Sequence, residues 1–297
     1  GKTRVLTHRI AYLIGVMGVR AYNILAVTFT NKASKEMDER VNSLLGEATR
    51  GLTLGTFHAI CARILRRESE SLPFKNNFVI FDTDDQLSVV RQSLAELGFD
   101  DKRHRPTAVH ASISAAKNEL VLPDDYPVQN YRDEVVRKVY QRYQALLLSN
   151  NAVDFDDLLL YTAALLEQNA VVRERYARRF EHVLVDEFQD TNQAQYRLLK
   201  HLASFHRNIF VVGDTDQSIY AWRGADYRNL LRFEEDFPDT QVVLLEQNYR
   251  STQLILDTAT AVIERNPHRK PKRLFTDRGT GNRVVMHEAY DDRQEAA

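Results

Sequence analysis

Short apolar runs that end in polar residues alternate with helical patterns along this chain, and this alternation is the strongest constraint on its fold. The clearest runs are 24–29 (ILAVTF), 182–187 (HVLVDE), 208–214 (NIFVVGD) and 242–247 (VVLLEQ). Strands that alternate with helices favour a parallel sheet built from βαβ crossovers. We therefore predict an α/β fold in which these four runs share one mainly parallel sheet, with a further strand candidate at Leu52 to Gly55.

From about residue 82 to 179 the pattern is helical only. Asp82 or Thr83 can cap a helix that Gly98 ends, a long helix runs near 131–148, and Asp154 can cap the next one. This block is interpreted as an insertion into the α/β domain. After Ser251 a helix and one more strand, near 283–289, begin a second unit.

Composition limits the class of protein. Hydrophobic residues make up 43% and charged residues 27%, which is typical of a soluble globular chain. The net charge of −1 gives no global signal for nucleic acid, so any such contact must come from local arrangement. A single cysteine, Cys61, fits a reducing, cytoplasmic compartment and a packed core position, and no run is long enough to span a membrane.

The first three residues, Gly1-Lys2-Thr3, match the end of a phosphate-binding loop. Such a loop places Lys at the β/γ-phosphates and a Thr hydroxyl on Mg²⁺. The tripeptide is common by chance, but a helical pattern follows at once and places it at a helix N-terminus. The chain starts without methionine, so we expect the rest of the loop to lie upstream and residues 1–297 alone to bind ATP poorly.

Two strand candidates end in polar groups. Asp186-Glu187 can hold Mg²⁺ and orient or deprotonate water, and Gln217, after Gly213-Asp214, can sense a γ-phosphate. Taken singly, these are also what a solvated strand end and a Gly-Asp turn look like. Because ligands gather at the carboxyl ends of parallel strands, a shared site is the better interpretation.

Aromatic and basic side chains cluster in several places. Arg250 can stabilise charge on a phosphoryl group and Tyr249 can stack on a base, although alone either could be an ordinary surface residue. Aromatic faces beside cationic groups also suit single-stranded DNA. The candidates are Phe29, Phe57-His58, Tyr220, Trp222 and Arg223. Core packing is the stronger interpretation for Phe57, and Trp222, the only tryptophan, is the better candidate for DNA.

Six segments in order resemble superfamily 1 DNA helicases of the UvrD/PcrA/Rep type. They are TRVLTHRIAYLI, AVTFTNKASKEMDERV, GTFHAICARILRR, VLVDEFQDTN, VVGDTDQSIYAWRGA and LLEQNYRS, and the likeness extends to SAAKNEL and VDFDDLL in the helical block. The resemblance implies a RecA-like P-loop domain at 1–81 and 180–250, interrupted by a helical subdomain at 82–179. Residues 251–297 would begin a second RecA-like domain.

The same resemblance implies ATP hydrolysis with Mg²⁺, coupled to 3′-to-5′ movement on single-stranded DNA and at single/double-strand junctions, in repair or replication restart. It assigns Gly1, Lys2, Thr3, Arg4 and Tyr249 to the nucleotide, Thr3 and Asp186 to Mg²⁺, Asp186, Glu187, Gln217 and Arg250 to catalysis, and Phe29, Thr56, His58, Tyr220, Trp222 and Arg223 to the DNA strand.

The family's upstream glutamine segment, first strand and loop glycines are not in this sequence, nor are its later motifs. We therefore expect the parent protein to be a helicase and this piece alone not to unwind DNA. Two alternatives remain open: the motor part of a helicase–nuclease, and a non-enzymatic module that binds single-stranded DNA. Intact Lys2, Asp186, Glu187, Gln217 and Arg250 count against the second.

Overall fold

A computed structural model of the chain describes residues 1–220, 224–226, 228–266 and 271–296. The chain forms two compact units, Thr3–Pro238 and a smaller unit of Asp239–Ala297 with Gly1–Lys2. The strands are β1 (Ile24–Thr28), β2 (Thr53–Thr56), β3 (Val79–Ile80), β4 (Ala152–Val153), β5 (His182–Val185) and β6 (Ile209–Val211). The helices are α1 (Lys2–Gly15), α2 (Asn31–Leu45), α3 (Phe57–Arg67), α4 (Thr83–Glu96), α5 (Pro106–Asn118), α6 (Tyr131–Ser149), α7 (Phe155–Gln168), α8 (Ala170–Arg179), α9 (Gln193–Leu202), α10 (Arg228–Asp236), α11 (Gln253–Ile263) and α12 (Asp292–Ala296).

The larger unit is built on a parallel sheet with the strand order β2-β1-β5-β6. Val27 pairs with Gly55 on one side and with Val185 on the other, and Val185 pairs with Val211. The four strands therefore end in line at one edge. The predicted α/β fold with a parallel sheet is confirmed, and three of the four runs predicted for that sheet belong to it.

Alternate residues of the strands face two helical layers. Ile24, Ala26 and Leu184 pack with Leu6 and Ile10 of α1 and with α2, whereas Leu25, Val27 and Val185 pack with α3, α7 and α9. Burial of each such side chain stabilises the fold by roughly 1.5–3 kcal/mol. Cys61 lies in the second layer and is fully buried, as predicted.

The block after residue 82 is largely helical, as the sequence predicted. Asp82 and Asp154 both cap helices, α4 and α7, through reciprocal capping boxes, and Gly98, with a φ of 73°, follows the end of α4. Helices α4, α5 and α6 share a core of their own, whereas α7 and α8 join the core beside the sheet. The block is not purely helical, because β4 within it pairs with β3.

Two predicted strands are wrong. The run 242–247 was expected in the main sheet, but it forms no strand, and Val242 to Leu245 are half exposed or more. Its one recorded pairing is an isolated parallel bridge from Gln247 to Phe275. The run 283–289 also forms no strand. An apolar run becomes a strand only when neighbouring strands pair with it, and within the described part of the smaller unit none does.

The described chain divides after Pro238, earlier than the limit of 250 taken from the sequence. The domain limits themselves remain a prediction. None of the described helices combines the length and the apolar character that crossing a membrane requires.

Candidate functional site

The carboxyl edge of the parallel sheet gathers most of the polar residues that the sequence singled out in the larger unit. Thr28 ends β1, Thr56 ends β2, Asp186 follows β5, and Gly213-Asp214 lie just beyond β6. Because the register aligns these strand ends, the polar residues face a common region. This edge is the candidate functional site.

Asp186 and Glu187 form the acidic centre of this edge. Asp186 is buried, its backbone N–H donates to the carbonyl of Val27 at 3.0 Å, and its Oδ1 accepts the N–H of Glu187 at 3.0 Å. Glu187 has φ 45° and ψ 46°, a left-handed conformation that is rare for a residue with a Cβ. Such a conformation costs about 1–3 kcal/mol and persists where the surroundings enforce it, most often at functional sites.

Gln189 holds the Glu187 carboxylate, and it was not among the residues predicted from the sequence. Its buried Nε2 donates to Glu187 Oε2 at 2.9 Å and to Asp190 Oδ2 at 3.2 Å, and its Oε1 accepts the N–H of Asp214 at 2.9 Å. One amide therefore joins the residues after β5 to those after β6. The only signal in the sequence was its place between two acidic residues.

The segment after β6 presents Gln217 on the surface. A short 3₁₀ turn, Thr215–Gln217, begins at Asp214, whose Oδ1 accepts the N–H of Asp216 at 3.1 Å. The Nε2 of Gln217 donates to Asp214 Oδ2 at 2.8 Å. The side chain is exposed and held by a group at the site's edge, which suits an amide that senses a bound group.

Helix α1 brings Thr3 and Arg4 to the same side of the sheet. The helix packs against β1, β5 and β6 and leads through a short connection into the amino end of β1, so its own amino end points toward the carboxyl edge. Arg4 is exposed and its Nε lies 3.4 Å from His8 Nε2. Beside it is a cavity of about 270 Å³ lined by Arg4, Thr7, His8, Arg40, Ser43 and Leu44. Gly1 and Lys2 group with the smaller unit.

Two of the predicted DNA-contacting residues, Phe29 and Thr56, lie at the ends of β1 and β2. Phe29 is half-buried and its ring meets Phe57 edge-to-face at 5.6 Å, while Phe57 is buried in the core as expected. Thr56 caps α3, its Oγ1 accepting the N–H of Ala59 at 3.3 Å. This bond gives Thr56 a structural role whatever else it contacts.

His58 lies next to an aromatic residue that was not among the predicted site residues. Its ring meets that of Phe155, the first residue of α7, at 5.9 Å, and Phe155 is 48% exposed. Burial lowers the pKa of His58 below its usual value, so the imidazole is neutral at pH 7. Tyr220 is exposed, and Trp222 and Arg223 lie outside the described residues.

Tyr249 and Arg250 belong to the smaller unit. Tyr249 is 65% exposed, its hydroxyl donates to Gln247 Oε1 at 2.6 Å, and its carbonyl accepts from Arg278 Nη1 at 3.1 Å. The N–H of Arg250 donates to Asn248 Oδ1 at 2.8 Å. The backbone of this turn is fixed and both predicted side chains are exposed.

Comparison with known proteins gives two family matches. The UvrD/REP helicase N-terminal domain matches residues 1–238, and the UvrD-like helicase C-terminal domain matches residues 243–297.

The chain is 51% identical over 289 residues to the ATP-dependent DNA helicase PcrA of Bacillus subtilis (strain 168), covering 97% of this chain and 39% of that protein. It is 48% identical over 298 residues to the proteins of the same name from Staphylococcus epidermidis (strain ATCC 12228 / FDA PCI 1200) and Staphylococcus aureus (strain Mu50 / ATCC 700699), covering 100% of this chain and 41% of each. The chain thus spans about two fifths of the length of these relatives.

Proposed function

The chain belongs to the UvrD/REP helicase family, and from this we propose that the protein containing it is an ATP-dependent DNA helicase. The relatives that match all or nearly all of the chain carry that activity in their names. The observation that carries the proposal furthest is the arrangement of Asp186 and Glu187. The Asp186 carboxylate is buried at a strand end, and the next residue, Glu187, has a left-handed backbone and a carboxylate that accepts from Gln189 Nε2.

We assign the nucleotide to the carboxyl edge beside α1. Gly1, Lys2 and Thr3 would bind its phosphates at the amino end of this helix, with Arg4 alongside. The hard oxygens of Thr3 and Asp186 fit Mg²⁺, which prefers one or two protein oxygens together with phosphate oxygens. Bound there, the ion would neutralise phosphate charge.

Glu187 is proposed to orient and deprotonate the attacking water, since its carboxylate is fixed by the Gln189 amide. Gln217 is proposed to sense the γ-phosphate, because its amide is held at the site's edge by Asp214. Arg250 would stabilise charge on the transferring phosphoryl group and Tyr249 would stack on the base. Both side chains are exposed on a fixed turn of the smaller unit.

For the DNA strand we propose Phe29, Thr56, His58, Tyr220, Trp222 and Arg223, and we add Phe155. The ring of Phe155 meets that of His58 and remains half exposed, so the pair offers a π-face to a base. We further propose that the protein moves 3′-to-5′ on single-stranded DNA and acts at single/double-strand junctions, in repair or replication restart. We propose a cytoplasmic location, where its DNA substrate would be found. Residues 1–297 by themselves are proposed not to unwind DNA, in keeping with their share of the relatives' length.

An ATPase assay of the full-length protein with and without single-stranded DNA tests the proposal. We expect slow basal hydrolysis that single-stranded DNA stimulates and double-stranded DNA does not. DNA binding without any hydrolysis would instead support a non-enzymatic binding module. Hydrolysis accompanied by DNA degradation in the same reaction would support the motor of a helicase–nuclease.

A further inference from the structure

A buried ion cluster joins two helices of the helical block. Lys117 Nζ lies 2.7 Å from both Asp154 Oδ2 and Asp157 Oδ1, and all three side chains are buried. Burial acts to lower the pKa of Lys117, but the charges of Asp154 and Asp157 outweigh it and hold the pKa above its usual range. The ammonium stays charged and fixes the amino end of α7 against the end of α5.

The next residue, Asn118, faces a different neighbour. Its Nδ2 donates to Ser114 O at 2.8 Å within α5 and to Asp156 Oδ1 at 3.1 Å in the first turn of α7. Its Oδ1 accepts from Asn192 Nδ2. Because the nitrogen is committed to two acceptors, the oxygen must point at Asn192, and the orientation of the amide is determined by its surroundings.

Asn192 follows directly after residues 186–191, which we name the carboxylate loop. It caps α9, its Oδ1 accepting the N–H of Gln195 at 2.8 Å while Gln195 Oε1 accepts the N–H of Asn192 at 3.1 Å. Asn229 Nδ2 donates to the carbonyls of Thr191 at 2.9 Å and Asn192 at 3.5 Å. A displacement of Asn192 would therefore be passed to the carboxylate loop rather than absorbed beside it.

The opposite end of this path lies at the surface. Asp156, which Asn118 contacts, is the neighbour of Phe155, whose half-exposed ring meets His58. The bonds run from Asp156 to Asn118 and from Asn118 to Asn192. They connect the aromatic pair with the loop that carries Asp186 and Glu187, and the Lys117 cluster keeps α5 and α7 moving together.

We propose that Asn118 is a positioning residue that couples DNA bound at Phe155 and His58 to the geometry of the carboxylate loop. The inference rests on the proposed function. DNA that displaces the amino end of α7 moves Asn118 with it, and the Asn118–Asn192 bond transmits that movement to Glu187. The bonds from Asp156 to Asn118 and from Asn118 to Asn192 form a continuous set of contacts, through which binding at one site can bias the other.

Two substitutions in the full-length protein test the bond from either side. Asn192→Asp keeps the oxygen that caps α9 but replaces the donor to Asn118 with a second oxygen. Asn118→Ala removes the acceptor. For both we expect stimulation of kcat by single-stranded DNA to fall by about fivefold or more. Basal kcat, the KM for ATP and the Kd for single-stranded DNA should stay within about twofold. Asn150→Ala, an amide whose Nδ2 donates to the carbonyl of Leu146 in α6, is the matched control and should change nothing.

The double variant Asn118→Ala/Asn192→Asp separates coupling from two independent effects. If the residues act through their shared bond, it should lose no more stimulation than either single variant. Additive losses would overturn the proposal, as would unchanged stimulation in Asn192→Asp or equal losses of basal and stimulated turnover. If Asn118→Ala does not fold, Asn192→Asp carries the test. Absence of DNA stimulation in the unmodified protein would instead contradict the proposed function itself, an outcome distinct from loss of stimulation in the variants alone.

Discussion

The Oε1 of Gln189 accepts the backbone N–H of Asp214 at 2.9 Å, and this bond holds the segment after β5 against the segment after β6. The same amide donates to Glu187 and Asp190. Every polar atom of the Gln189 side chain is thus engaged, so the side chain has no alternative position at low cost. A substitution that displaces the Gln189 side chain should therefore also displace the Glu187 carboxylate.

Gly213→Ala tests this rigidity. A Cβ at position 213 would lie 2.9 Å from Gln189 Oε1 and 3.3 Å from the Gln189 backbone nitrogen, closer than packed atoms sit. We expect ATP turnover to fall sharply and the larger unit to lose about 1–3 kcal/mol, the usual cost of overpacking. Gly15→Ala is the control, because its Cβ would meet only Leu45 Cδ2 at 3.4 Å. Equal activity of the two variants in steady-state ATPase assays would contradict the proposed constraint.

Glu187→Gln separates chemistry from architecture at the acidic centre. Glutamine keeps an oxygen that can accept from Gln189 Nε2, so the left-handed conformation should survive. The carboxylate that orients and deprotonates water is lost, and we expect turnover to drop by about 100-fold or more. Binding of a fluorescent ATP analogue should be retained, since Asp186 is untouched. Unchanged steady-state turnover in the full-length protein would falsify the role assigned to Glu187.

The elements that the sequence predicted well are those whose signals are local. The apolar runs of β1, β5 and β6, and the caps at Asp82 and Asp154, depend on neighbours within a few residues. The run 242–247 has the same composition, yet pairing with another strand decides whether it becomes one, and that depends on residues far away in the chain. Composition alone could not reveal the difference.

At the candidate site the same division holds. The carboxylates after β5 and the amide after β6 were predicted because polar residues that follow apolar runs mark strand ends. Gln189 and Asn118 were missed because their importance lies in partners that only folding brings close: Asp214 is 25 residues from Gln189 and Asn192 is 74 from Asn118. Nothing in the local pattern distinguishes such amides from solvated ones.

Lys117→Met should destabilise the helical block strongly. It leaves Asp154 and Asp157 buried without their cation, and breaking a buried ion pair on one side costs about 3–5 kcal/mol. Thermal unfolding followed by circular dichroism should show an early transition. Arg142→Met, at the exposed pair with Glu96, provides the control and should shift the transition little. Lys117→Met/Asp157→Asn should recover part of the loss, because one buried charge is removed; no recovery would contradict the electrostatic explanation.

Trp222→Ala addresses the DNA surface. Loss of one base–aromatic stack should weaken binding of single-stranded DNA by about 1–3 kcal/mol and impair DNA-stimulated turnover more than basal turnover. Phe155→Ala should also weaken DNA binding and DNA-stimulated turnover. Tyr131→Ala, which removes an exposed aromatic ring at the start of α6, is the control. Fluorescence anisotropy with a labelled oligonucleotide measures the affinity, and a melting curve detects the alternative. If Trp222 is a core residue, its removal lowers the melting temperature and both activities alike.

His58 should contribute to the pH dependence of folding stability. Its pKa is lowered by burial in the folded chain, whereas in the unfolded chain it returns to about 6.5. The unfolded state therefore binds more protons as the pH falls below about 6.5, and folding loses stability in that range. His58→Gln removes this contribution, so its melting temperature should fall less than that of the unmodified protein between pH 7.5 and 5.5. His110, His182 and His201 also have lowered pKa values, so the melting temperature of both proteins should still fall somewhat as the pH is lowered.

Because the His58 imidazole is neutral at pH 7, His58→Gln should leave the salt dependence of DNA binding unchanged. A slope of log Kd against log salt reduced by about one would mean that His58 meets a phosphate as a cation.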